Sequence, residues 1–101
     1  PYTLSATLLH NFLLQEASLD DRRKRLLYLS QHRGMKETDL LMGRFAQKNL
    51  ETMNDVELND LELILEEGDN DLLSWIMEHT EPPERVNTLV LKMIIDFRKS
   101  L

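Results

Sequence analysis

Residues 19–50 read "LDDRRKRLLYLSQHRGMKETDLLMGRFAQKNL", and two helical patterns meet inside this stretch at "RGMKE", residues 33–37. The first helix is expected over "LDDRRKRLLYLSQH". Ser18 is its expected N-cap, and Asp20 and Asp21 fall in the first turn, where the positive end of the dipole favours acids. It stops at Gly34, the residue type that commonly follows a last helical turn. In the second helix Leu41, Met42, Phe45, Ala46 and Leu50 share one face. Arg33 then closes one helix and Glu37 opens the next, each with the charge its helix end prefers. The plain reading is a tight helix–helix corner with an Arg33–Glu37 ion pair, worth under ~1 kcal/mol if exposed. The alternative is a corner that presents a guanidinium and a carboxylate, held by a rigid turn, to another molecule. Spacing alone leaves both readings open.

The all-α pattern continues outward. Asn54 and Glu57 make a capping-box-like "NDVE" that opens a third helix through about Glu67, with Leu58, Leu61, Ile64 and Leu65 as its stripe. Gly68 ends it. "DNDLLSWIMEH" predicts a short fourth helix with Leu72, Leu73, Ile76 and Met77 on one side. "EPPERVNTLVLKMIIDFRKSL" predicts a fifth, with Pro83 in its first turn and Val86, Leu89, Val90, Met93, Ile94 and Phe97 as its apolar stripe. Arg98 and Lys99 suit its last turn. The expected fold is thus a small five-helix, bundle-like domain over residues 18–101. Residues 1–17 form an extension in which Leu4, Leu8, Leu9, Phe12 and Leu13 are spaced for one face of an additional helix. Such a stripe often finds a partner or a symmetry mate, so the expected monomer has a route to self-association through residues 4–13.

Composition narrows the function. The 101 residues suffice for one domain with one modest core. The absence of cysteine excludes disulfides, thiolate metal sites and cysteine nucleophiles, and fits a reducing compartment. No apolar run approaches the ~20 residues that span a bilayer, and the start, "PYTLSATLLHNFLLQ", lacks the basic region of a secretory signal. The net charge of −6 is uneven: residues 1–33 carry +2 and residues 34–101 carry −8. An acidic body argues against general nucleic-acid binding, which needs a basic footprint. The "RRKR" run at 22–25 is the exception and reads as a solvated helix face.

Catalytic patterns are missing. His10, His32 and His79 lie far apart, without metal-ligand spacing, and no dinucleotide or phosphate loop exists around Gly34, Gly43 or Gly68. "DNDLLSWIMEHT" begins like a calcium loop, but Ser74 stands where the loop needs glycine and Thr80 where it needs glutamate. The Asp69, Asn70, Asp71 cluster reads as helix capping. No catalytic residue and no metal ligand is assigned, and the chain reads as a binding module.

At this point the residues carry a resemblance. "RKRLLYLSQHRGMKETDLLMGRFA" is similar to the core signature of the succinate dehydrogenase assembly factors that promote covalent flavin attachment, the SdhE-type flavinylation factors. Their hallmark R-G-x-x-E is here Arg33, Gly34 and Glu37. "RLLY" (Arg25 to Tyr28) precedes it, and "DLL" (Asp39 to Leu41) with Phe45 and Ala46 follows it. A second block, Leu65, Glu66, Asp69, Asp71, Leu72 and Trp75, resembles the family's junction between third and fourth helices. The similarity covers about residues 19–98.

The resemblance implies a non-enzymatic factor that binds the flavoprotein subunit of succinate dehydrogenase, or of fumarate reductase. It implies that FAD becomes attached to a histidine of that client by the client's own chemistry. No tightly bound cofactor is expected, since FAD belongs to the client. The implied client-binding residues are Arg33, Gly34 and Glu37, joined by Arg25, Tyr28, Met35, Lys36, Asp39, Asp71 and Trp75. No nucleic acid and no direct membrane insertion are expected. The implied location is the bacterial cytoplasm, with the mitochondrial matrix as alternative. A helical adaptor for another client is the competing reading.

Overall fold

The computed structural model describes residues 19–101. The Ser18 cap and the apolar stripe of residues 4–13 lie outside the described residues. Five α-helices follow one another: α1 (Asp21–Gln31), α2 (Lys36–Asn49), α3 (Asp55–Leu65), α4 (Asp69–Ile76) and α5 (Leu89–Lys99). Two short 3₁₀ turns, Leu50–Thr52 and Glu84–Val86, precede α3 and α5. Among the described residues there is no strand, so the all-α expectation holds.

Asp20 is the N-cap of α1, accepting from the Arg23 N–H at 2.8 Å. α3 opens with the expected capping box: Asn54 and Glu57 exchange side-chain-to-backbone hydrogen bonds at 2.9 Å each. These caps satisfy N–H groups that the first helical turn leaves unpaired. α4 ends where Glu78 adopts a left-handed φ of 61°, a strained conformation for a residue with a Cβ. Lys99 of α5 holds that glutamate at 2.7 Å, tying the ends of α4 and α5 together.

One core unites the helices: Leu26 and Leu27 of α1, Met42 and Phe45 of α2, Leu61 and Ile64 of α3, Leu72 and Ile76 of α4, Val90 and Ile94 of α5. The Phe45 and Phe97 rings meet edge to face, their centroids 5.8 Å apart, a favoured aromatic geometry. α1 crosses α2 at Gly43, where a Cβ would stand only 3.1 Å from Gln31 Cγ; glycine permits this close approach.

Two stripes differ from expectation. In α4 the buried residues are Leu72, Trp75 and Ile76, while Leu73 and Met77 face a surface groove. The predicted fifth helix is interrupted. Pro83 caps only the 3₁₀ turn, Asn87 leaves helical geometry, and Thr88 caps a helix that starts at Leu89. The break leaves Leu89 62% exposed and buries Leu91, while Val86, Val90 and Ile94 lie in the core and Met93 and Phe97 pack against it as expected. The "RRKR" run is also less solvated than expected. Arg22 and Arg25 both pair with Glu62 of α3. Arg23 donates to the backbone carbonyls of Leu50 and Met53.

Candidate functional site

Four residues, His32 to Met35, join α1 to α2, and backbone and side-chain donors and acceptors from both halves of the chain converge behind them. Arg33 lies beyond the end of α1, which closes at His32, and its side chain turns inward, only 9% exposed. Its Nε donates to Asp69 Oδ1 at 2.7 Å and its Nη1 to the Leu65 carbonyl at 2.7 Å. Its Nη2 donates to the Glu67 carbonyl. The planar fork of a guanidinium suits such divergent acceptors. The carbonyls belong to the end of α3 and the link beyond it, where a cation is favoured. Asp69 opens α4, where an anion is favoured.

Asp69 is the other half of the clamp. Its Oδ2 accepts from the Gly34 N–H at 2.8 Å, and its Oδ1 also accepts from Thr38 Oγ1 at 3.0 Å. Burial works to raise the Asp69 carboxyl. Hydrogen bonds from Arg33 and Thr38, the Arg33 charge and the Gly34 N–H outweigh it and hold the group below the usual carboxylate range. Thr38 is itself buried, its hydroxyl also near the Met35 carbonyl at 3.0 Å. Asp39 accepts from the Arg33 N–H. The α1–α2 corner and the α3–α4 corner are therefore fastened back to back.

The expected Arg33–Glu37 ion pair does not form; Arg33 spends its charge on Asp69, because the guanidinium lies inside the molecule while Glu37 is exposed on the first turn of α2. Gly34 is also explained differently. Its φ is not left-handed, so no helix-ending twist requires glycine. A Cβ there would stand 3.0 Å from Asp69 Oδ2, so glycine is what lets the carboxylate reach the backbone N–H. Asp69 is not a helix cap in its own right: Gly68 holds that position.

The other candidate residues separate into inner and outer sets. Trp75 is buried in the core. Asp39 and Met35 are half-buried against the corner, and Lys36 and Asp71 are exposed. Arg25 is engaged with Glu62 at 2.7 Å. Tyr28 is 59% exposed and stacks on His32, the ring centroids 4.0 Å apart. Thr38 and the carbonyls of Leu65 and Glu67 were invisible in sequence, since no spacing rule links residues some thirty positions apart.

Glu37 also lines a groove between α2, α4 and the end of α5, about 540 Å³ in volume. Among the described residues no cluster of His, Asp or Glu is placed to hold a metal ion, and no helix is long and apolar enough to cross a membrane. The corner is fixed from within and leaves Gly34, Lys36 and Glu37 exposed.

This corner lies within residues 24–98, which match the family model described as "Flavinator of succinate dehydrogenase". The chain belongs to that flavinator family. Curated relatives agree. Succinate dehydrogenase assembly factor 2, mitochondrial, of Dictyostelium discoideum is 41% identical over 78 residues, covering 77% of this chain and 55% of that protein. Its Candida glabrata counterpart is 41% identical over 87 residues, covering 82% of this chain and 57% of that protein. The FAD assembly factor SdhE of Acetobacter pasteurianus is 40% identical over 81 residues, covering 80% of this chain and 74% of that protein. The chain thus spans little more than half the length of the two mitochondrial relatives. The flavinator match takes in both halves of the clamp, Arg33 with Gly34 and Asp69.

Proposed function

We propose that this chain binds the flavoprotein subunit of succinate dehydrogenase and promotes covalent attachment of FAD to a histidine of that subunit. Fumarate reductase is the second client of the same kind. The observation that carries the reading is the family match over a corner whose arginine and glycine are held by an internal clamp, with Glu37 exposed beside them. In this reading Arg33 acts from within, fixing the turn. Gly34 keeps the surface bare for close approach, and Glu37 makes the outward polar contact with the client. Tyr28, Lys36 and Asp71 extend that surface.

The chain itself supplies no reacting group. The client provides the nucleophile and the flavin, and the factor provides orientation, which can lower a barrier by several kcal/mol. FAD is held by the client and not tightly by this chain. The place of action follows the client: the bacterial cytoplasm or the mitochondrial matrix.

Reconstitution tests this. Purified flavoprotein subunit lacking flavin is incubated with FAD, with and without this chain, and covalent flavin is read by fluorescence after denaturation. The chain should raise the covalent fraction. Glu37→Ala should remove most of that gain while costing no more than ~1 kcal/mol of stability, since Glu37 has no ion pair among the described residues and loses only its helix-end charge. An equal covalent fraction with and without the chain overturns the proposal.

A further inference from the structure

The groove between α2, α4 and the end of α5 has an apolar floor of Leu41, Leu73 and Met77, with Leu40 and Leu101 at its lips. Leu40 is 53% and Leu101 68% exposed, and neither takes part in the core. A cleft of this size takes several large side chains. Two guanidiniums stand on the same groove. Arg44 has no ion pair or side-chain hydrogen bond among the described residues. Arg98 has a buried Nε with no hydrogen-bond partner. Its Nη2 lies 3.7 Å from a Glu78 oxygen that Lys99 already holds at 2.7 Å. A buried N–H without an acceptor is costly, so an arriving acceptor would be favoured. In a chain of net charge −6, two arginines over an apolar floor are a local reversal of sign. Glu37 makes the groove continuous with the motif corner.

We propose that this groove seats an amphipathic segment of the flavoprotein subunit, with apolar side chains over Leu41, Leu73 and Met77 and a carboxylate against Arg44 and Arg98. The proposal rests on the flavoprotein being the client. Other occupants match the groove less well. The stretch before Leu19 offers the apolar residues 4–13, "LSATLLHNFL", but a single carboxylate, Glu16, for two arginines. A second copy brings a body of net charge −6 against another of the same sign.

The test uses the full chain and the purified flavoprotein subunit, with affinity measured by titration calorimetry at two salt concentrations. Arg44→Glu should weaken binding by about tenfold or more and flatten its salt dependence. Leu40→Ser should weaken it without changing that dependence. Val56→Ser, at an exposed α3 position outside the groove, should leave affinity unchanged. A photo-crosslinking residue at Met77, 38% exposed, should join to the flavoprotein subunit. Wild-type binding with Arg44→Glu and Leu40→Ser unaffected overturns the groove alone and leaves the function standing. No binding, together with no gain in covalent flavin, overturns the function and the groove with it. Crosslinks from position 77 only to residues 1–18, or only to a second copy, in the presence of the flavoprotein also overturn the assignment.

Discussion

Asp69 accepts from Arg33, Gly34 and Thr38 at once, so its replacement separates charge from shape. Asp69→Ala leaves a nearly buried guanidinium without its counter-charge and should cost ~3–5 kcal/mol, read by urea unfolding at neutral pH. Asp69→Asn keeps the side chain's size and one acceptor, and should cost ~1–3 kcal/mol. Because the folded carboxyl titrates below its ordinary value, its stabilisation is complete above the unfolded pKa of ~3.9 and is lost as pH falls through the lower folded value. The wild-type unfolding free energy should therefore drop below about pH 4, and that of Asp69→Asn should drop less steeply. At this scale the sequence was half legible. "RGMKE" showed a helix boundary and suitable end charges. It did not show that Arg33 points inward, because its partners lie more than thirty residues away and leave no local signature.

Helices, by contrast, announce themselves through short-range chemistry. Asn54 with Glu57 is a local feature and opens α3 where the pattern places it; α1 begins two residues later than its pattern, at Asp21, with Asp20 as its cap instead of a first-turn residue. The fifth helix shows the limit. Its apolar residues fit one helical face from Val86 onward, but Asn87 leaves helical geometry and Thr88 caps a new start. Periodicity across that break places Val86, Val90 and Ile94 correctly but misplaces Leu89 and passes over Leu91. The difference is measurable. Leu91→Ala, at a fully buried position, should cost ~2–5 kcal/mol, while Leu89→Ala should stay within about 0.5 kcal/mol. Equal losses at both positions would restore the uninterrupted helix.

On the scale of the whole molecule, the five helices of the described residues depend on one core, since none of their lengths is stable alone in water. Phe45, in the middle of the sequence, is 1% exposed and packs against Phe97 near its end. Phe45→Ala should destabilise by ~3–5 kcal/mol, and all five helices should be lost together in one urea transition followed by circular dichroism. The fold class and the core were legible because burial follows periodicity. The groove was not, because Leu40, Leu73, Met77 and Arg98 come together only when α2, α4 and α5 are placed.

The Arg33–Asp69 clamp also has a consequence for synthesis. A ribosome delivers residues 33–37 well before it delivers residue 69. Until the later helices emerge and dock, the glycine corner has nothing to hold its arginine, and the surface offered by Glu37 is unformed. The corner therefore takes its shape only after residue 69 has been delivered and docked. The shape of a turn made early in the chain is thus decided by a residue made more than thirty positions later.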